Sequence, residues 1–222
     1  FRRIDSGGRL DRSVTHAFRY NGRLLTGFAG DTLASALLAG GELVVGRSFK
    51  YHRPRGFLSA GAEEPNGLFT IGRGTDAVTS IPGTTLELRE GLDAATQNAW
   101  PSVNRDVMAV NDRLSRLLQT GFYYKTFMGP FRKSWMAYEP FIRRAAGLGR
   151  ATYEKDAAHY ENVHEFCDCA IIGAGPAGLA AALAAGRSGA RVVLVDQDFV
   201  SGGLILSSSA GEKEQWRRSV LQ

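Results

Sequence analysis

The residues best suited to chemistry form a glycine turn, Gly173-Ala174-Gly175-Pro176-Ala177-Gly178. This spacing lets a backbone cradle a pyrophosphate. Gly173 permits a tight turn off a strand, Gly175 lets the main chain approach the phosphates, and Gly178 lets a helix lie close to a sheet. Pro176 suits the first helical turn, where its missing N–H removes no bond. The uncommitted N–H groups and the positive end of that helix then face the anion.

Such a turn works only if a strand delivers it and a helix leaves it. The apolar run Cys169-Ala170-Ile171-Ile172 precedes it, and the alanine-rich stretch from Leu179 to Ala185 reads as the helix. Arg191-Val192-Val193-Leu194-Val195 then reads as a second buried strand, ending in Asp196. An acid roughly twenty residues past the glycines is placed to accept from a ribose 2′-hydroxyl. It also repels a 2′-phosphate, so NAD is expected over NADP. The same glycines and acid serve FAD, and the pattern alone does not separate NAD from FAD. A glycine-rich turn in an ordinary α/β protein is the plainer alternative. Two strands, a helix and an acid in register weigh against it.

The chain has 222 residues, which spans one to two domains. A doubly wound domain takes roughly 100–150 residues, and only about fifty follow Cys169. The sheet that carries the turn is therefore expected to be incomplete, as in a piece of a longer chain. Net charge is +5, from 27 Lys and Arg against 22 Asp and Glu. That excess is mild and dispersed, which argues against a nucleic-acid partner. No apolar run is long enough to span a bilayer and no signal peptide is evident, so no membrane partner is expected. The two cysteines, Cys167 and Cys169, lie one residue apart and point to opposite faces of one strand. A disulfide framework is not expected, and a reducing cytoplasm fits.

Upstream, Phe1 to Arg12 reads as a polar arm. Val14–Tyr20 and Arg23–Phe28 flank Asn21-Gly22, a strong hairpin signal. A helix is expected next, with Asp31 as its N-cap, an apolar face of Leu33, Ala36 and Leu37, and an end at Gly40-Gly41. Further strands are expected at Leu43–Gly46, Leu68–Ile71 and Thr84–Leu88. Hairpin, helix and strands in that order predict a β-grasp domain. The basic loop Arg47-Ser48-Phe49-Lys50-Tyr51-His52-Arg53-Pro54-Arg55-Gly56 is either an anion-contacting loop near a cofactor or subunit seam, or a solvated loop. In the second case its arginines pair with Glu63, Glu64 and carbonyls. His52 alone indicates neither a metal nor catalysis. Val107, Val110, Asn111, Leu114, Leu117 and Leu118 recur at helical spacing. The rings Phe122, Tyr123, Tyr124, Phe127, Phe131, Trp135, Tyr138 and Phe141 then form either core or a partner interface.

Val45-Gly46-Arg47-Ser48-Phe49-Lys50-Tyr51-His52-Arg53-Pro54-Arg55-Gly56, Gly121-Phe122-Tyr123-Tyr124-Lys125-Thr126-Phe127 and the glycine turn together resemble the α subunit of heterotetrameric sarcosine oxidases. The likeness covers nearly the whole chain. The first two stretches are far more specific than the third. The resemblance implies oxidation of sarcosine to glycine and hydrogen peroxide, with formaldehyde or methylene-tetrahydrofolate. It implies β, γ and δ partner subunits, with FAD and a covalent FMN in the β subunit or at its border with α. It implies NAD in the α subunit, and tetrahydrofolate in a C-terminal region absent here. By matching position, Ala177 meets the pyrophosphate through its N–H and Asp196 holds the adenosine ribose. Gln197 and Asp198 line the adenosine edge, and Gly202-Gly203-Leu204 make a second close backbone approach. No residue is assigned a catalytic role.

The N-terminal region also resembles the [2Fe–2S] ferredoxin-like domain of related amine dehydrogenases and hydrogen cyanide synthases. Their plant-type C-x₄-C-x₂-C spacing falls here on Ser59, Glu64 and Gly67. None of these is a thiolate, so loss of the cluster is expected. The expected fold class is thus α/β. A ferredoxin-like, cluster-free β-grasp domain (1–95) leads through a helical and aromatic linker (96–165) into the start of a Rossmann-type dinucleotide-binding domain (166–222). Alternatives in function are an α-type subunit of an FAD-dependent opine, proline or hydroxyproline dehydrogenase, and a non-catalytic adaptor holding a dinucleotide.

Overall fold

A computed structural model describes residues 3–6, 8–116, 118, 121, 134–149, 153, 155, 159–207 and 211–222. The chain divides into two compact units, Phe1–Ala157 and Ala158–Gln222.

In the first unit, β1 (Asp11–Tyr20) and β2 (Arg23–Ala29) form an antiparallel hairpin. Its turn residues Asn21 and Gly22 have φ of +49° and +81°. A two-residue hairpin loop needs both positive to follow the twist of its strands, which is why Asn-Gly signals it so well. Helix α1 (Leu33–Ala39) follows. Its N-cap is Thr32, not Asp31. The Asp31 carboxylate is committed elsewhere. It accepts from the Phe28 N–H and the Ser35 hydroxyl, and it pairs with Arg3 at 2.6 Å. Arg3 is thus tied to the fold, and the polar arm ends before Asp11, where β1 begins.

Short strands β3 (Gly46–Arg47) and β4 (Pro54–Arg55) pair with each other. β5 (Leu68–Ile71), β6 (Val78–Pro82) and β7 (Asp93–Thr96) join the main sheet in the order β2-β1-β7-β5-β6. β1 and β7 run parallel, and the other pairs are antiparallel. A hairpin, a helix laid across the sheet and a last strand parallel to the first make the expected β-grasp arrangement. Phe18, Tyr20, Phe69 and Ala94 of the sheet pack against Leu33, Ala36 and Leu37 of the helix. Each large side chain buried there contributes about 1.5–3 kcal/mol.

Of the expected strands, Leu43–Gly46 is extended only at its end, where Gly46 opens β3, and Leu68–Ile71 holds as β5. Thr84–Leu88 is a turn region. Its apolar spacing anchors a loop: Leu88 is buried and donates its N–H to the Asp31 carbonyl at 2.9 Å. The strand lies instead at Val78–Pro82, on the sheet edge, where polar residues blur the alternation. The helical spacing from Val107 gives a 3₁₀ turn (Val107–Ala109) and a short α2 (Val110–Arg113). Val107, Val110 and Leu114 are exposed. Helix α3 (Trp135–Ala146) leaves Met136 and Phe141 exposed. Leu117, Phe122, Tyr123, Tyr124, Phe127 and Phe131 lie outside the described residues.

In the second unit, β8 (Cys169–Ile172) and β9 (Val192–Val195) are parallel, and α4 (Pro176–Arg187) connects them. A 3₁₀ turn (Gly203–Ile205) and α5 (Glu212–Val220) follow. Leu179 of α4 is fully buried, whereas Ile172 at the end of β8 is 91% exposed. Cys167 and Cys169 are free thiols. Among the described residues no helix is long and apolar enough to cross a membrane.

Candidate functional site

The C-terminal end of β8 delivers the glycine turn and the N-terminus of α4 receives it. Gly173 sits at φ +100° and donates its N–H to the Val195 carbonyl at 2.7 Å, tying the turn to β9. A Cβ on Gly178 would lie 1.8 Å from the Gly173 carbonyl oxygen, so the helix can approach the turn only with glycine there. A Cβ on Gly175 would meet nothing within 4 Å. That direction is an open cradle at the helix end. Gly175 is the N-cap and Pro176 the first helical residue. The N–H groups of Ala177 and Gly178 belong to the first turn, which has no intrahelical acceptor for them.

The second strand brings the acid to the same place. The Asp196 carboxylate accepts from the Ala174 N–H and, at 2.7 Å, from the Asp198 N–H. The Asp198 N–H first, and then that of Ala174, hold the Asp196 carboxyl below the usual carboxylate value. The side chain is half-buried, and a carboxylate has lone pairs beyond those that two N–H groups occupy. Asp198 behaves oppositely. Burial, and then the neighbouring Asp196 charge, push it up. Its Oδ1 is buried with no partner among the described residues. Gln197 is exposed beside them.

Gly202 and Gly203 close the site from a third side. The Gly202 N–H donates to the Ala174 carbonyl at 2.8 Å. Gly203 has φ +51°, and a Cβ there would lie 3.1 Å from the Gly175 Cα. The structure thus gathers Gly173, Gly175, Pro176, Gly178, Asp196 and Gly203 about one turn. Leu204 is exposed and lines an adjoining cavity of about 470 Å³ with Pro176, Ile205, Glu212, Lys213 and Trp216. The contribution of α5 was not legible in sequence. Arg217 forks onto Glu214 and donates to the Ser201 carbonyl at 2.9 Å, fastening α5 to the Gly202 loop. The Glu–Arg spacing of three residues was its one signal.

The N-terminal unit contains a second built feature. Glu64 is 3% exposed. Its Oε2 accepts from the N–H groups of Leu58 and Ser59, both at 2.7 Å, and its Oε1 from Asn66 at 2.7 Å and Gly67 at 3.0 Å. Burial alone would raise this carboxyl. The N–H groups of Ser59, Asn66, Gly67 and Leu58 outweigh burial and hold it low. The basic loop matches the solvated-loop arrangement in pairing with carbonyls and departs from it in its acidic partner. Arg47 donates to the carbonyls of Val103 and His52, and Arg53 pairs with Asp112, not with Glu63 or Glu64.

A family model described as "2Fe-2S iron-sulfur cluster binding domain" matches residues 13–99, and one described as "FAD dependent oxidoreductase" matches residues 168–213. The chain is 56% identical over 208 residues to sarcosine oxidase subunit alpha of Rhizobium meliloti (strain 1021). That alignment covers 94% of this chain and 21% of the relative. It is 33% identical over 225 residues to the same subunit of Corynebacterium sp. (strain U-96), covering 98% of this chain and 18% of that protein. The chain is a homologue of sarcosine oxidase α subunits. It spans about a fifth of the length of these relatives. A solved structure of L-proline dehydrogenase from P. horikoshii aligns over 98% of this chain and 32% of its own, at 17% identity and a TM-score of 0.49.

The cluster model and the residues present disagree. Its loop holds no cysteine; Ser59, Glu64 and Gly67 stand at the ligand spacing. Four N–H groups of that loop are bound to Glu64. Among the described residues no group of three His, Cys, Asp or Glu side chains converges as metal ligands would.

Proposed function

We propose that the second unit is the opening of a Rossmann-type domain and holds a dinucleotide for a multi-subunit, flavin-dependent sarcosine oxidase. The observation that carries this is the open direction at Gly175, flanked by the α4 N-terminus on one side and the Asp196 carboxylate on the other. The pyrophosphate lies against the N–H groups of Ala177 and Gly178, Asp196 accepts from the ribose hydroxyls, and Gln197, Asp198, Gly203 and Leu204 border the rest. NAD is our first assignment, because Asp196 repels a 2′-phosphate. The match to an FAD-dependent oxidoreductase model over 168–213 favours FAD as the second reading.

In this reading the chain's own residues bind and orient, and the redox chemistry of the flavins is supplied when FAD and FMN are bound in or beside the β subunit. The whole enzyme converts sarcosine to glycine with release of hydrogen peroxide, and passes the methyl carbon on as formaldehyde or as methylene-tetrahydrofolate. The β-grasp unit is cluster-free and serves as a docking platform in a cytoplasmic assembly with β, γ and δ subunits. The ligand released on denaturing the purified assembly, identified by mass, tests the reading. NAD supports the first assignment and FAD at a stoichiometry above that of the partner site supports the second. A complex that turns over sarcosine but releases no dinucleotide attributable to this chain sinks both.

A further inference from the structure

The first unit contains a buried imidazole that the dinucleotide reading does not use. His52 is 2% exposed and its Nδ1 lies 2.6 Å from Asp106 Oδ2. Asp106 is also buried, and its Oδ1 accepts from the Trp100 and Met108 N–H groups at 3.2 Å each. An ionised carboxylate only accepts, so the shared proton sits on Nδ1 and the ring presents Nε2. That Nε2 is buried with no partner among the described residues. A buried polar atom left unmatched is unfavourable and calls for an explanation.

Two further groups line the same cavity of about 440 Å³ as His52: Gln97, whose Oε1 accepts from the Ser80 hydroxyl at 3.4 Å and whose Nε2 is buried with no partner among the described residues, and the guanidinium-bearing Arg144. Trp100 and Phe141 stand at this cavity, each 70% exposed. Large exposed rings beside a cation and orphaned polar groups are the composition of a ligand site, not of a packed core.

We propose that this cavity binds a small anion, a carboxylate or phosphate monoester, carried on a flat ring. Arg144 and Gln97 donate to the anion's oxygens, His52 Nε2 shares a proton with the same head group, and the ring lies against Trp100 and Phe141. Asp106 is a positioning residue that fixes the imidazole's tautomer. The residues of this site all belong to the first unit.

Calorimetric titration of the assembled enzyme tests this with four probes: phenyl phosphate, benzoate, inorganic phosphate and phenol. At least one of the first two binds saturably, and the tighter one identifies the head group. Inorganic phosphate and phenol, each lacking half the ligand, bind at least tenfold more weakly. Arg144→Gln weakens the ring anion at least tenfold, with the thermal midpoint of the assembly unchanged. Histidine labelled with ¹⁵N keeps the test independent of a His52 variant that fails to fold: saturation with the better probe moves the His52 Nε2 resonance. The proposal is overturned if neither ring anion binds, if inorganic phosphate binds as tightly as phenyl phosphate, or if Arg144→Gln leaves affinity unchanged.

Discussion

Removing the Glu64 carboxylate tests whether one side chain organises the loop that resembles a cluster site. Four N–H groups converge on it at 2.7–3.0 Å, two on each oxygen. Hydrogen bonds to a charged group contribute about 1.5–3 kcal/mol singly, but these four share one charge and are not additive. The residue is buried, and its loss leaves donors facing one another. Glu64→Ala is therefore expected to destabilise the first unit by about 3–5 kcal/mol, comparable to breaking one buried charged contact. Glu64→Gln retains one acceptor oxygen but turns an NH₂ toward the other donor pair, so it falls within about 1 kcal/mol of Ala. Against a typical total of roughly 5–15 kcal/mol, either variant is severe. Chemical denaturation gives the free energies. Hydrogen exchange at Leu58, Ser59, Asn66 and Gly67 shows whether the loss is local. A Glu64→Ala protein within about 0.5 kcal/mol of the parent, with those four amides still protected, refutes the reasoning.

Glu64 is held low in the folded chain, so its contribution is fully present above the unfolded carboxyl value of about 4.3 and fades as pH falls through the lower folded value. Glu64→Gln should flatten the acid limb of a stability–pH curve, and an unchanged limb would count against the assignment. Iron and acid-labile sulfide assays on protein prepared without air should read near zero, whereas stoichiometric iron with a visible cluster spectrum overturns the cluster-free reading. Asp196→Ala should weaken NAD binding and narrow the preference over NADP in equilibrium titrations of a complete α subunit; equal or tighter NADP binding by the parent contradicts the ribose role. Gly178→Ala should abolish dinucleotide binding, because its Cβ would lie 1.8 Å from the Gly173 oxygen, and retained affinity would show that α4 can shift without disturbing the turn.

Those elements whose residues interact locally were legible in the sequence. Asn21-Gly22 needs only its own dihedrals to specify a hairpin, and Gly173 to Gly178 need only the strand and helix that flank them. Legibility failed where a distant partner decides. Asp31 has the type of an N-cap, but Arg3, 28 residues away, Phe28 and Ser35 claim its carboxylate and leave the cap to Thr32. His52 was uninformative alone because Asp106, 54 residues on, gives it meaning. β7 was missed because Asp93–Thr96 has little apolar alternation. It is a strand because β1 and β5 pair with it from both sides.

Glu64 and Asp196 show one device put to different ends. Both are carboxylates that collect backbone N–H groups and are held low by them. At Glu64 both oxygens are saturated and the residue is buried, so the charge is spent on fixing a loop and no ligand anion can take its place. At Asp196 one N–H from the glycine turn and one from the following loop hold the carboxylate while it stays half-buried. The charge is thus oriented by the backbone itself, with lone pairs left over for a further donor. Preorganisation of this kind reduces the ordering that binding must impose. Ala174 differs from the glycines beside it. Its side chain is buried, its N–H is committed to Asp196 and its carbonyl to Gly202, so this residue joins the three backbone segments of the turn.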